Sequence, residues 1–283
     1  MAEYFIARGL PVPPELSNDP LTRWRRWLAI ALTMLVFYIG LRITSIDLSY
    51  ANPEYAGRQI AQLFNWDLTL LTPQNEFETF WDTAEGKMVE TIFLGLVATV
   101  FSIIVAIPLS FLGARNIMAG HPVTSTIYAA VRLLFTVIRS IDVLIVVIVF
   151  SILFGIGSAA GVIGLAFHNV GVLGKLYSEA IEGIDAGPLE AITATGATRF
   201  QVVWTAVIPQ IFNPFISFTI YRFDANVRLA PILGYVGGGG IGIMLFQNIQ
   251  LFHYGGAGLI IFMIVVTVAA MDFASAQVRK RLV

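Results

Sequence analysis

Ser178 to Ile211 reads SEAIEGIDAGPLEAITATGATRFQVVWTAVIPQI. In a chain that is otherwise mostly apolar, this stretch holds too many charges, small residues and helix breakers to cross a bilayer comfortably. Its local chemistry predicts two short helices joined at a turn. Asp185 caps the first, Pro188 sits in the first turn where backbone N–H groups lack partners anyway, and Leu189 to Thr195 carries it on. Gly196 ends it. Thr198 caps the second, in which Phe200, Val203, Trp204 and Val207 recur at helical spacing until Pro209 stops it. Glu190, Ala191, Ala194, Gly196 and Ala197 leave small side chains around one carboxylate, a surface that a partner can approach closely. We expect a cytoplasmic docking element.

Composition sets the surroundings of that element. The chain has 283 residues, 57% of them hydrophobic and only 12% charged, and its mean hydropathy is +0.79. Those values exclude an ordinary soluble domain and indicate an integral membrane protein. A net charge of −1 provides no basic surplus to neutralise phosphates, which argues against nucleic acid as a partner. With no Cys, the chain has neither disulfides nor thiol chemistry.

In chain order, Met1 to Pro20 is polar and interrupted by Pro11, Pro13, Pro14 and Pro20, as in a loosely ordered arm. Arg23, Arg25 and Arg26 alternate with Trp24 and Trp27 before the apolar run Leu28 to Leu41. The arginines favour the cytoplasm and the Trp rings the headgroup layer. A cleaved signal peptide is the rival reading, weakened by the long preceding arm and the lack of a small-x-small cleavage site. Arg42 to Lys87 is acidic and external, with helix starts expected at Asn52-Pro53 and Thr72-Pro73 and with Phe77, Phe80 and Trp81 on one face.

Met88 to Leu112 is long enough for a hydrocarbon core of ~30 Å, with Pro108 kinking it near its end. Val123 to Phe154 is too long for one perpendicular span and holds Arg132, Arg139 and Asp142, so an oblique or broken helix is expected, with Arg139 and Asp142 paired. Ala160 to Tyr177, Phe212 to Leu233 and Leu259 to Phe273 complete about six spans. The basic residues at alternate span ends place both termini in the cytoplasm. No internal repeat marks a secondary transporter.

Few constellations could carry chemistry. YRFDANVR, Tyr221 to Arg228, sets Arg222, Asp224, Asn226 and Arg228 inside an apolar span, where charges pair or face a wet cavity. For an anionic substrate, Arg222 and Arg228 are the natural attractors. Arg139 and His168 are further pathway candidates, although His168 with Asn169 inside an apolar helix is most often a packing hydrogen bond between helices. Gly237, Gly239 and Gly242 formally spell GxGxxG, but no strand–helix setting for a dinucleotide is available. Gly237, Gly238, Gly239, Gly240 and Gly242 instead suit tight turns at a gate or outer mouth. GVLGK, Gly171 to Lys175, lacks the first glycine and the Ser or Thr of a phosphate loop. His121, His168 and His253 lie in separate segments and form no metal or catalytic cluster.

The docking stretch resembles the EAA loop of ABC-importer permeases. Glu190, Ala191, Gly196, Ile208 and Pro209 stand at its Glu, Ala, Gly, apolar and Pro positions, while Ile192 and Ala206 depart from its usual Ala and Ile. LGARN (Leu112 to Asn116), RSID (Arg139 to Asp142), GKLYSEAIEGID (Gly174 to Asp185), ATGAT (Ala194 to Thr198) and YRFDANVRLAPILGYVGGGGIG (Tyr221 to Gly242) narrow the likeness to phosphonate-type importer permeases, from Val89 to the C-terminus.

That resemblance implies an all-α, polytopic type I ABC importer permease fold. Its expected parts are a cytoplasmic arm over 1–27, a first transmembrane helix over 28–43, an external loop with short amphipathic helices over 44–87, and a permease core over 88–283 with a coupling loop at 178–211. It also implies a transport subunit rather than an enzyme, moving phosphonate, phosphate or phosphite by alternating access in a bacterial plasma membrane. The implied partners are a second copy of the chain, two ABC ATPase subunits and an external binding protein. ATP and Mg would be used by the ATPase, with no cofactor on this chain. Glu190, Ala191, Gly196, Ile208 and Pro209 would couple to it. Importers of another small solute, a secondary transporter and a membrane-embedded enzyme are the alternatives.

Overall fold

The computed structural model describes residues 5, 7–9, 20–44, 53–73, 75, 78–118 and 120–280. Most of the N-terminal arm, together with Phe77 and Arg281, lies outside them. Two compact units divide the chain, Met1–Arg58 and Gln59–Val283.

The first unit contains α1, Pro20–Ile43, which begins on a proline at a position where a missing N–H costs nothing. Within Trp24–Ile43 no residue is buried inside the chain. The helix α2, Pro53–Leu63, starts at the proline expected from Asn52-Pro53.

The second unit is a bundle built inside out. Its first helix, α3 (Ala84–Leu112), buries Thr91, Gly95, Ala98, Thr99, Ser102, Ala106 and Ser110, a stripe of small and hydroxylated residues spaced three to four apart. Phe93, Phe101 and Ile104 lie exposed on the other side. This is the pattern expected where lipid solvates the apolar surface and close backbone packing holds helices together. Thr99 and Ser102 return their hydroxyls to backbone carbonyls one turn back, which keeps the stripe free of unmet donors.

Next come α4 (Pro122–Ser140), α5 (Val143–Phe154) and α6 (Ser158–Glu182). The segment expected to be oblique or broken is broken, at Ile141. Asp142 caps α5 by accepting the Leu144 N–H at 2.8 Å. That cap uses the carboxylate expected to pair with Arg139, and no such ion pair exists among the described residues. α6 is the centre of the bundle: Leu165 packs with Ala98, Val147 and Leu233, and Leu173 and Tyr177 pack with Ala106. Tyr177 also stacks on Phe215 with ring centroids 4.1 Å apart.

After a short hairpin the chain returns as α8 (Ile208–Tyr235), then α9 (Ile241–Gln250) and α10 (Tyr254–Lys280), α7 being Ala186–Ala194 within the hairpin. The first turns of α3 join α9 and α10 through an apolar cluster of Ala84, Met88, Ile241 and Ile260. Between α2 and α3 the expected helix start at Thr72-Pro73 does not form. Asp67 instead caps a 3-10 turn, Leu68–Leu71, which ends at Thr72. Thr79 and Asp82 close a capping box around a second one, Phe80–Asp82.

Among the described residues, six helices are long and apolar enough to cross a membrane: Trp24–Ile43, Ala84–Leu112, Pro122–Ser140, Ser158–Glu182, Phe200–Tyr235 and Tyr254–Lys280. No strand occurs among the described residues.

Candidate functional site

The hairpin between α6 and α8 forms from its own caps. Asp185 accepts the Gly187 N–H at 3.0 Å to open α7, with Pro188 inside the first turn. Thr195 closes it, and Gly196 follows at φ +78°, a left-handed conformation that a side chain disfavours. Thr198 and Gln201 then cap each other: the Thr198 N–H donates to Gln201 Oε1 at 2.8 Å and the Gln201 N–H to Thr198 Oγ1 at 3.4 Å.

Pro209 does not stop the second helix. One turn, Arg199–Val202, runs into a π-helical turn, Val203–Val207, and then directly into α8. The wider π turn and the position of Pro209 at the start of α8 leave the ring without an obligatory carbonyl to displace.

Glu190, Ala191, Gly196 and Pro209 are exposed and Ile208 is half-buried. Beneath them, Leu189, Ile184 and Val203 pack against Ala114, Ile181, Val207 and Ile211. A cavity of about 290 Å³ remains under α7, lined in part by Asn116, Leu189 and Thr193. Gln210, which sequence reasoning missed, closes the base. Its Oε1 accepts the Asp185 N–H at 2.9 Å, and its Nε2 donates to the Ala206 carbonyl at 2.8 Å. The hairpin therefore presents an exposed carboxylate on a fixed base.

The second candidate region lies along α8 in the bundle. Arg222 Nε donates to Asn169 Oδ1 on α6, and Asn226 Nδ2 donates to Thr99 Oγ1 on α3 at 2.8 Å. Arg222 Nη2, Asn169 Nδ2, His168 Nδ1 and Asn226 Oδ1 are buried with no hydrogen-bond partner among the described residues. Asn169 and Asn226 are fully buried. Asn169 had a signal only as half of the His168-Asn169 pair suited to a packing hydrogen bond, and Thr99 had none beyond being polar inside an apolar run.

Arg228 faces elsewhere. It stands between Asp224, 3.3 Å away on its own helix, and Asp272 of α10 at 2.6 Å. The Asp224–Arg228 pair expected from the spacing is present, and Asp272 is its unforeseen third member. Arg139 is exposed at the end of α4. The structure thus joins Arg222 to Asn169 and Asn226 to Thr99, and leaves Arg228 in a separate cluster with Asp224 and Asp272.

The third region is the glycine turn between α8 and α9, at the opposite end from the hairpin. Gly237, Gly239 and Gly240 have φ between +71° and +94°. The Gly237 carbonyl accepts the Gly157 N–H at 2.9 Å, and the Ile241 N–H donates to Thr91 Oγ1 at 2.8 Å. A Cβ on Gly161 would stand 2.1 Å from the Gly238 carbonyl oxygen, and one on Gly242 would stand 1.9 Å from that of Pro231. The glycines serve contact between backbones. Beside the turn is a polar cavity of about 360 Å³, lined in part by Asp82, Lys87, Glu90, Ser158 and Gln247.

Residues 117–283 match the family of binding-protein-dependent transport system inner membrane components. The chain belongs to that family. It is a multi-pass membrane transport component. No cluster of three metal-ligating side chains occurs among the described residues. Among curated relatives, the permease is 38% identical over 227 residues to the phosphate-import permease protein PhnE of Mycolicibacterium smegmatis, covering 78% of this chain and 42% of that protein. It is 35% identical over 193 residues to the phosphite transport system permease protein PtxC of Stutzerimonas stutzeri, covering 68% of this chain and 69% of that one. The chain thus spans less than half of the first and about two-thirds of the second.

Among solved structures, an inward-facing MetNI methionine ABC transporter superposes with a TM-score of 0.62 at 21% identity, over 70% of this chain and 95% of that chain. The permease has the type I ABC importer fold.

Proposed function

We propose that the chain is the permease subunit of an ATP-driven importer that moves phosphonate, phosphate or phosphite from an external binding protein to the cytoplasm. The observation that carries the transport mechanism is the hairpin: an exposed Glu190 on a capped helix whose apolar underside is fixed to the ends of α3, α6 and α8. The relatives named for phosphate and phosphite carry the substrate class.

In this reading the complex contains two copies of the permease in a bacterial plasma membrane, with both termini and the hairpins in the cytoplasm. Each hairpin docks an ATPase subunit through Glu190, Ala191, Gly196, Ile208 and Pro209. ATP and Mg are used there, and this chain binds no cofactor. Closure of the ATPase pair moves the hairpins together, and the helices rigidly joined to them rotate to exchange inward for outward access. The glycine turn, Gly237 to Gly240 with Gly242, forms the outer gate.

The oxyanion would pass Arg222, Asn169, His168 and Asn226. Arg222 Nη2 and Asn169 Nδ2 are donors left without acceptors, and charge-assisted hydrogen bonds from a guanidinium suit a tetrahedral oxyanion. Arg228 and Asp224 hold the shape of the pathway wall, and Arg139 lies at the break between α4 and α5.

The test is co-purification in mild detergent with the neighbouring gene products. ATP hydrolysis is then measured with binding protein loaded in turn with phosphonate, phosphite or phosphate. A co-purified ATPase stimulated by one loaded binding protein supports the reading and names the substrate. Solute movement by the chain alone, with no ATPase bound, overturns it.

A further inference from the structure

LGARN (Leu112 to Asn116), which the transport reading leaves without a role, and the last turn of α6 meet at a residue that neither contains. Arg132, in the middle of α4, donates from Nε to the Gly113 carbonyl at 2.9 Å, at the C-cap of α3. Its Nη2 stands 2.5 Å from Glu182 Oε2 on the last turn of α6, and its Nη1 stands 3.7 Å from Glu179. The other oxygen of Glu182 accepts the Arg115 N–H at 2.7 Å, at the start of the turn Arg115–Met118. Asn116 Nδ2 donates to the Ile181 carbonyl at 2.6 Å. One guanidinium and one carboxylate therefore join the ends of α3 and α6 to α4, immediately above the apolar plug of Ala114, Ile181 and Val207 on which Leu189 and Ile184 of the hairpin rest.

Physical chemistry gives the arrangement its rigidity. Arg132 has about one-fifth of its side chain exposed and Glu182 less than one-third, so solvent competes weakly for the pair. A planar fork engages a carbonyl and a carboxylate at once, which an ammonium cannot do with the same geometry. Among the described residues α4 has no other ion pair to the bundle, and only Val131, Phe135 and Ile138 are buried on it.

We infer that Arg132 is a positioning residue that locks the hairpin-end termini of α3 and α6 to the middle of α4 as one body, so that displacement of the α7 hairpin is carried into all three helices. The source of that displacement rests on the importer reading. The locking itself does not.

The chain has no cysteine, so a pair of spin labels can be placed at will. With Thr126→Cys on α4 and Thr195→Cys on the hairpin, the wild-type background gives a narrow distance distribution in lipid nanodiscs. Arg132→Gln broadens it, and Arg132→Lys is intermediate. In the assembled complex, Arg132→Gln leaves ATPase co-purification and basal hydrolysis unchanged while substrate moved per ATP falls about tenfold, with partial recovery in Arg132→Lys.

A distribution as narrow in Arg132→Gln as in wild type overturns the inference. So does loss of folded protein in both variants, which would make Arg132 a stability contact only. If no ATPase attaches to the wild-type chain while the label widths still separate, the locking stands and the importer reading fails.

Discussion

Arg228 of α8 and Asp272 of α10 are joined across two helices, Nη2 to Oδ1 at 2.6 Å, with Asp224 on the other side of the same guanidinium at 3.3 Å. Asp224 is almost wholly buried, whereas the other two are about half exposed. Removing the cation leaves two neighbouring carboxylates, one of them without water. Arg228→Ala should therefore destabilise the folded permease by on the order of 2–3 kcal/mol. Replacing the three together, Arg228→Met with Asp224→Asn and Asp272→Asn, should restore most of the loss because no unpaired charge remains. Thermal unfolding in detergent decides it, and an Arg228→Ala protein as stable as wild type would show that the cluster contributes little.

Thr198 and Gln201 cap the second arm of the hairpin reciprocally. Thr198→Ala should cost about 1 kcal/mol of local stability. Amide exchange over Arg199 to Val203 should speed up while exchange in α6 stays as it was. Equal protection in the two proteins would mean that the π turn, not the cap, holds this arm.

Gly196 sits at φ +78° with nothing within 4 Å of the point a Cβ would occupy, so backbone strain alone opposes a side chain there. Gly196→Val should cost about 1–2 kcal/mol locally and alter the surface around Glu190. Membrane insertion should be normal and ATPase capture reduced. Glu190→Lys should give the same separation through charge alone. Undiminished capture by both variants would place the docking surface elsewhere.

At the glycine turn the cause is different. Gly161→Ala and Gly242→Ala each drive a methyl group into a backbone carbonyl, and overpacking of this kind costs about 1–3 kcal/mol or more. Gly57→Ala, with open space around it on α2, is the matched control and should be neutral or stabilising. Yields of monodisperse protein in detergent provide the measure.

Asp67, in the loop after α2, accepts from the Thr69 hydroxyl and from the Thr69 N–H, and these bonds hold its carboxyl below its ordinary value of 3.8. A depressed folded value means the cap's contribution is present above the unfolded value and is lost as pH falls through the folded one. Protection of the Thr69 amide, its exchange relative to the intrinsic rate at each pH, should be flat from neutral pH down to that ordinary value and fall only below it. Asp67→Ala should abolish the acid step; an unchanged profile would refute the assignment.

Much of this protein was determined by local sequence. Apolar runs long enough for a bilayer located the spans, because the hydrocarbon requires every backbone group to be satisfied within its own helix. Asp185, Gly196 and Thr198 specified the hairpin through bonds to neighbours two or three residues away, and Asn52-Pro53 marked the start of α2 for the same reason.

Tertiary structure decided what those local rules cannot reach. Pro209 reads as a stop, yet a π turn carries the helix through it. Asp142 and Arg139 read as a pair, yet the carboxylate caps α5. Asp272, Asn169 and Gln210 became partners of Arg228, Arg222 and Asp185 only when helices far apart in sequence were packed together. Arg132 read as an awkward charge in an apolar segment until the ends of α3 and α6 arrived beside it. A cap is written within one turn of chain, whereas the partner of a charge within the bundle depends on which helix faces it. That choice belongs to the packing of small-residue stripes such as Thr91 to Ser110, and it exists only in the folded bundle.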